Sequence, residues 1–231
     1  MKNSQRVKTH IPGFDELVQG GFPQSSNILL SGSAGTGKTI FSLQYLYNGA
    51  VLEKEAGIYF TFEERGAALR EQAQQFGWDL EKLEKKKLLR IIPIGVEELS
   101  KSTLMDIIEI VRDTKSKRVV IDSITTLAYL SPMGFEETSP TLYSVKKFLY
   151  KFMALFKEFN GATSIFISQK DEEISNSIAE YLCDGIVTLN FETLGGDCSR
   201  SLLVKKMRRT KNDEDLHPLE INDSGVHIRN L

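Results

Sequence analysis

The residues of this chain whose types and spacing most plainly carry chemistry are Gly32-Ser33-Ala34-Gly35-Thr36-Gly37-Lys38-Thr39, which fit G-x-x-x-x-G-K-[ST] without a mismatch. Glycines let a backbone wrap closely enough for its N–H groups to face phosphate oxygens. Here those groups run from Ser33 through Ile40. A helix that begins at the loop adds unpaired N–H groups and its positive dipole end. Lys38 is placed to reach the β- and γ-phosphates, and the Thr39 hydroxyl to ligate Mg²⁺. A chance glycine-rich turn is the plain alternative, and the flanks argue against it. Asn27-Ile28-Leu29-Leu30 has the length of a buried strand, and apolar residues from Ile40 to Leu46 recur at helical spacing. The expected ligands are a nucleoside triphosphate and Mg²⁺.

Hydrolysis needs a second anchor on the metal side and a group that activates water. Asp122 closes the apolar run Val119-Val120-Ile121. A carboxylate at that strand end can face Thr39, because ligands of open α/β sheets sit at the carboxyl ends of the strands. The bland reading is an Asp that caps a turn. Glu63 and Glu64 end another strand, and one of them can orient or deprotonate the attacking water. Neighbouring side chains leave a strand on opposite sides, so one of the pair is expected to reach it, with Glu63 favoured. A charged loop is the alternative. Ser168 and Gln169 end a further strand, where a polar side chain could sense the γ-phosphate. Lys206 and Arg208 share one face of a strand in the basic run Lys205–Lys211. That pair could serve its own nucleotide, act on a neighbour's as an arginine finger, bind nucleic acid, or sit on a solvated edge strand. Spacing alone favours the edge strand.

The elements that would position these groups alternate. After a glycine- and proline-punctuated lead-in over 9–26, with one helical turn at most, come the phosphate loop and a helix to about Lys54. A second strand, Gly57–Phe62, runs into the glutamate pair. A helix carrying Ala67, Ala68, Leu69, Ala73 and Phe76 ends at Gly77, followed by a charged turn over Asp79–Lys87 whose basic run Lys85-Lys86-Lys87 reads as a solvated face. Leu88–Ile94 is a third strand, and Leu104, Ile107, Ile108 and Val111 mark one apolar helix face. Arg118–Asp122 is the fourth strand, and a loop with Pro132, Gly134 and Pro140 interrupts the pattern. A long amphipathic helix from Val145 to Phe159 stops at Asn160-Gly161, before the fifth strand, Thr163–Ile167. From Gly185 the chain reads as three or four strands with turns at Gly195-Gly196, Asn212-Asp213 and Ser224-Gly225. The expectation is one α/β domain over 1–231, a mostly parallel sheet covered on both faces and extended by antiparallel hairpins.

Composition narrows the function classes. The 231 residues include 29 basic and 31 acidic ones, a net charge of −2, so no global field draws the chain to nucleic acid or anionic membrane. Its two cysteines, Cys183 and Cys198, form no C-x-x-C, which argues against zinc and against a disulfide framework. No signal-peptide core follows Met1, and no apolar run nears the roughly 18 residues of a membrane helix. A soluble cytoplasmic protein is expected.

Taken together these residues resemble the KaiC-like branch of the RecA superfamily of P-loop ATPases. The likeness starts at Gly13-Phe14-Asp15-Glu16-Leu17 and Gly20-Gly21-Phe22-Pro23 and continues through the phosphate loop. Phe62-Glu63-Glu64 looks like the family's catalytic glutamate pair, Val120-Ile121-Asp122-Ser123 like its Mg²⁺-side strand, and Cys183–Val187 like the strand entering its carboxyl-terminal sheet. Lys206-Met207-Arg208-Arg209-Thr210 resembles its K-x-R-x-T segment, whose Lys and Arg reach the γ-phosphate held by the adjacent subunit. The resemblance implies a RecA-like fold, ATP and Mg²⁺, slow hydrolysis, and a homo-oligomeric ring, commonly a hexamer, with a regulatory or DNA-repair role. It raises Lys206 and Arg208 above the edge-strand reading. Gln24-Ser25 stand where the family often has Gly two residues after the lead-in Pro, and Ala34 where Pro is frequent. The family's circadian clock protein carries two fused copies and phosphorylates itself. This chain has one copy, so neither clock function nor autokinase activity carries over.

The rival reading is a recombinase paralogue in which ATP clamps an assembly on single-stranded DNA, with recombination or signalling proteins as partners. DNA would lie on the loops after the Asp122 and Ser168 strands. Residues 131–139 hold Glu136 and Glu137 and no basic residue, and residues 170–176 set one lysine against three carboxylates. Phosphate binding draws on Lys and Arg, so these loops repel DNA. A small-molecule kinase would need a lid and an acceptor site, and neither is evident.

Overall fold

Along the central strands successive side chains are buried on opposite faces, the pattern of a parallel sheet covered on both sides. Ile28 and Leu30 join one core with Tyr59, Val120, Ile165 and Ile167. Leu29, Ile58, Phe60, Val119, Ile121 and Phe166 join the other. The computed structural model describes residues 5–95, 98, 103–130, 142–169, 173–194 and 197–229. The first part runs β1 (Arg6–Val7), α1 (Phe14–Leu17), β2 (Phe22–Pro23), β3 (Asn27–Gly32), α2 (Lys38–Asn48), β4 (Gly57–Thr61), α3 (Gly66–Gln74) and α4 (Leu80–Lys85). Next come β5 (Leu89–Pro93), α5 (Thr103–Asp113), β6 (Arg118–Asp122), α6 (Ile124–Leu130), α7 (Leu142–Asn160), β7 (Thr163–Gln169) and α8 (Glu173–Leu182). The chain then folds as β8 (Gly185–Leu194), β9 (Asp197–Met207), β10 (Leu216–Asn222) and β11 (Gly225–Ile228).

Among the described residues, nine strands form one sheet in the order β11-β10-β9-β8-β3-β7-β6-β4-β5. β8, β3, β7, β6, β4 and β5 are parallel, and β9, β10 and β11 add to β8 as antiparallel hairpins. The expected fold class is therefore the observed one. α1 to α4 supply side chains to the first core and α5 to α8 to the second.

Several local readings change. In the lead-in, where only a helical turn is expected, β2 forms a strand and pairs with β1 just before it. α6 follows Asp122 closely where a loop was read, because β-branched Ile124, Thr125 and Thr126 disfavour helix locally. Burial of Ile124 and Leu127, three residues apart, outweighs that preference. α8 starts at Glu173 inside the stretch 170–176 that was read as a loop, and Ile178 and Ala179 anchor it to the second core. The rest of that stretch, residues 131–139 and the Gly195-Gly196 turn lie outside the described residues. Lys85, Lys86 and Lys87 are exposed, as a solvated face should be.

One buried cation fixes the start of β6 against α2. Arg118 is 0% exposed, donates from Nε to Glu55 at 2.8 Å and from Nη1 to the Tyr45 carbonyl at 3.0 Å, and lies 4.7 Å from the Tyr45 ring centre. Gly49, where α2 continues as a π-helical turn over Gly49–Glu53, leaves it room, since a Cβ there would sit 2.2 Å from Arg118 Nε. Gly49→Ala should destabilise the protein by about 1–3 kcal/mol, read as a lowered midpoint of thermal denaturation.

Candidate functional site

Strand register assembles the site. Gly32 pairs with Gln169, Thr61 with Asp122, and Ile121 with Phe166. The ends of β3, β4, β6 and β7 thus open on one edge, the carboxyl edge where α/β sheets take ligands. The phosphate loop follows β3, and α2 begins at Lys38 with no side chain capping its first turn. The loop N–H groups and the helix dipole consequently face one anion site. Gly37 has φ +101°, and a Cβ there would come 2.9 Å from Ile221 Cδ1, so the position requires glycine. Lys38 Nζ donates to the Gly32 and Ser33 carbonyls at 2.7 and 2.8 Å, and Thr36 Oγ1 donates to the Ser33 carbonyl at 3.0 Å.

On the metal side the structure adds a residue that sequence reasoning passed over. Tyr59 on β4 donates from its hydroxyl to Asp122 Oδ2 at 2.5 Å and also hydrogen-bonds the Thr39 hydroxyl. Thr39, Tyr59 and Asp122 therefore form one chain of oxygens. Its only earlier signal was an aromatic with a polar tip in an otherwise apolar strand. Asp122 is 7% exposed, and burial pushes its carboxyl up to about 6. The Tyr59 hydrogen bond works against that rise, the charges of Glu63 and Glu64 add to it, and Lys38 opposes it. A buried carboxylate with too little compensation beside a hydroxyl suits a hard divalent cation. Among the described residues no three His, Cys, Asp or Glu cluster as a metal cage. Mg²⁺ is ordinarily held by one or two carboxylates plus substrate phosphates, so the donor set fits it.

The glutamate pair departs from its expected geometry. β4 ends at Thr61, and residues 62–64 form a bend, so strand alternation does not separate Glu63 from Glu64. Thr61 Oγ1 instead accepts the Glu63 and Glu64 N–H groups at 3.4 and 2.9 Å. Both carboxylates bear on Asp122. Glu63 Oε1 accepts from Ser123 Oγ at 2.8 Å and Thr126 Oγ1 at 2.5 Å. Burial, and then the charge of Glu63, raise the Glu64 carboxyl above its usual range. The Asp122–Ser123 peptide is cis.

Ser168 and Gln169 lie beside the loop on β7. The Ser168 hydroxyl is buried without a hydrogen-bond partner among the described residues. β9 and β10 overhang the loop from the other side, where sequence spacing had no signal. Arg200 donates from Nε to the Gly35 carbonyl at 3.2 Å and lies 4.8 Å from the Phe191 ring centre, and Ile221 packs towards Gly37.

Lys206 and Arg208 are not brought to this edge. Leu189 pairs with Gly32, but Gly185 pairs with both Ile28 and Met207, about 13 Å back along β8 at the strand rise. Lys206 Nζ donates to the Glu180 and Cys183 carbonyls at 2.9 and 2.7 Å, and Arg208 Nη2 to the Tyr181 carbonyl at 3.4 Å. Both cations thus cap the carboxyl end of α8, where the helix dipole favours them. Arg208 Nη1 also lies 3.5 Å from Asp184 Oδ1. Two earlier readings fall: the pair is held away from its own phosphate loop, and β9 lies between β8 and β10 and so is not an edge strand.

The raised Asp122 carboxyl carries a pH signature. An acid whose folded pKa exceeds its unfolded value of about 3.9 holds its proton more tightly in the fold, so stability falls as pH rises from there through about 6. Metal-free Asp122→Asn should melt higher than the wild type at pH 8, by on the order of 5 °C, and the gap should close towards pH 4. Paired thermal scans across pH check both parts.

The family model described as "ATPase: KaiC" matches residues 7–231. The UPF0273 protein of Aeropyrum pernix is 36% identical over 242 residues, spanning 96% of this chain and 93% of that protein. The UPF0273 protein of Thermotoga maritima is 35% identical, spanning 97% of this chain and 96% of that one. The crystal structure of the KaiC-like protein PH0186 from Pyrococcus horikoshii superposes with a TM-score of 0.85 at 35% identity, covering 98% of this chain and 100% of that one. With that match over nearly its whole length, the chain belongs to the KaiC-type family of RecA-like P-loop ATPases.

Proposed function

We propose that this protein is a Mg²⁺-dependent ATPase that works as a ring of identical subunits, with ATP bound between neighbours. The observation that carries the reading is the convergence of Lys38, the Thr39–Tyr59–Asp122 chain and Glu63 on one sheet edge. The loop N–H groups from Ser33 to Ile40 cradle the phosphates, and Lys38 exchanges its carbonyl partners for phosphate oxygens. Mg²⁺, held by Thr39 and Asp122, would screen the phosphate charge. Glu63 takes a proton from the attacking water as its oxygen bonds the γ-phosphorus, and the β,γ-bridging oxygen leaves with the bonding pair as ADP. Glu64, whose carboxyl is raised by burial and by the charge of Glu63, stands beside it as the second carboxylate of the pair. Ser168 and Gln169 sense the γ-phosphate from β7, and Arg200 and Ile221 flank the nucleotide on the β9–β10 side.

Hydrolysis would be completed by a neighbour. Arg208, with 49% of its side chain exposed, sits at the far end of the sheet beside Tyr181, which is 68% exposed. A cation that points outward there is suited to a second copy's γ-phosphate, with Lys206 next to it. An arginine supplied in trans contributes about 10³–10⁵ in rate. The cycle is then a means of changing shape for a protein partner.

Mg²⁺-dependent ATP hydrolysis measured against protein concentration tests this. Specific activity should rise with concentration. Arg208→Ala should still bind ATP but lose at least roughly 10³-fold in hydrolysis, and Lys38→Ala should lose binding. A wild type that binds ATP and never hydrolyses it would make ATP a clamp, with single-stranded DNA binding as the next measurement.

A further inference from the structure

Glu63 lies in a bend beyond the end of β4, so no strand register fixes its side chain, and among the described residues its own N–H bonds Thr61 Oγ1 at a long 3.4 Å. The carboxylates of Glu64 and Asp122 and the ammonium of Lys38 share the site. The two carboxylates push Glu63 away from the place where a base would have to stand. The opposing force comes from hydroxyls. Ser123 Oγ and Thr126 Oγ1 both donate to Glu63 Oε1, at 2.8 and 2.5 Å. Thr126 N–H donates to Ser123 Oγ at 3.1 Å, which leaves the Ser123 proton for Glu63. With Oε1 taken twice, Oε2 is the oxygen left to accept a proton from water.

We propose that Thr126 is a positioning residue for the base: through its hydroxyl, the first turn of α6 holds Glu63 with one oxygen anchored and the other turned to the reacting water. The inference rests on the ATPase reading above. The neighbouring Thr125 is buried and meets the Gln169 N–H at 3.5 Å, so the same turn touches both the base and the end of β7. Thr126 is the better probe of the pair, because Ser123 adjoins Asp122.

Thr126→Val removes the hydroxyl and keeps the β-branch; Thr126→Ser keeps the hydroxyl. Thr126→Val should lower kcat roughly ten- to a hundred-fold, the scale of a misplaced catalytic group, with the KM and Kd for ATP within about twofold of wild type. Thr126→Ser should restore most of the rate. In a Glu63→Gln background Thr126→Val should cost nothing further, because the two residues act as one unit. Melting temperatures guard against a folding defect, and Thr126→Ala serves as the second hydroxyl-free variant if Thr126→Val is unstable. An unchanged or raised kcat, a Thr126→Ser as slow as Thr126→Val, or losses that add to those of Glu63→Gln would overturn the inference and leave the ATPase reading standing. A wild type no faster than Glu63→Gln would overturn the inference alone, and a wild type with no Mg²⁺-dependent hydrolysis would overturn the ATPase reading as well.

Discussion

The constraint on which the rest of the site depends is the buried carboxylate of Asp122. A sheet covered on both faces offers no solvent at its strand ends unless helices splay, and Asp122 sits at such an end only 7% exposed. Removing a charge from water costs several kcal/mol even after relaxation, unless partners replace the hydration. Here one neutral hydroxyl, that of Tyr59, is bonded to it, and the charge of Lys38 is set against two further carboxylates nearby. The fold tolerates this because Tyr59 is itself locked in the first core and because β4 and β6 are adjacent, with the Phe62 N–H on the Asp122 carbonyl at 2.8 Å. Such local under-compensation is costly for folding and useful for holding a cation. On the proposed function, the charge that the Asp122 pocket lacks would arrive with the metal–nucleotide ligand.

Much of this arrangement was legible in the sequence, and the boundary of legibility follows period and distance. The phosphate loop is local: eight consecutive residues dictate its backbone, and glycine at positive φ leaves few alternatives. The strands were legible because runs such as Val119-Val120-Ile121 and Ile165-Phe166-Ile167 have no polar face to offer water. Tyr59 was not, since its identity is what a strand prefers and its role appears only when register puts β4 against β6. α6 and α8 were obscured by β-branched and polar residues whose local preferences oppose helix. There tertiary burial decides, and a single sequence does not display it. The glutamate pair failed for a related reason. Alternation was a sound rule for a strand, but the strand stops at Thr61, and its threonine hydroxyl curls the chain into a bend.

Topology explains why residues that resemble one family's catalytic set do not meet within one chain. β8 is parallel to β3, so the chain passes the site edge at Leu189, runs on to Leu194 and returns along β9 in the opposite direction. Arg200, early in β9, is delivered to the phosphate loop, and Lys206 near its end and Arg208 in the turn just past it are delivered to the opposite edge. Six residues of antiparallel strand separate two groups of cations onto two ends of the same sheet. No side-chain rotation reverses that, because register fixes it. If both groups act on one nucleotide, they have to come from two chains.

Placement on α8 has a further consequence for how such a pair would be used. In the single chain Lys206 is held by the carbonyls of Glu180 in α8 and Cys183 just past it, and burial together with the adjacent Arg208 charge lowers its ammonium below the ordinary lysine range. Arg208 spans the Tyr181 carbonyl and Asp184, the latter already bonded to Lys157 at 2.9 Å. Asp184 also accepts the Asn27 N–H at 3.1 Å, at the start of the strand that leads to the phosphate loop. Arg208 is thus the weakly held member of the group, with contacts of 3.4 and 3.5 Å, whereas Lys206 is firmly seated. Hydrogen bonds lose strength steeply at such lengths. Of the two cations, Arg208 has the looser contacts and the more exposed side chain, so in the proposed ring it is the one that would give up its partners for a phosphate at little cost, while Lys206 ties α8 to β9. In the proposed ring, a division of that kind would let a neighbour's nucleotide recruit a cation without unravelling the element that presents it.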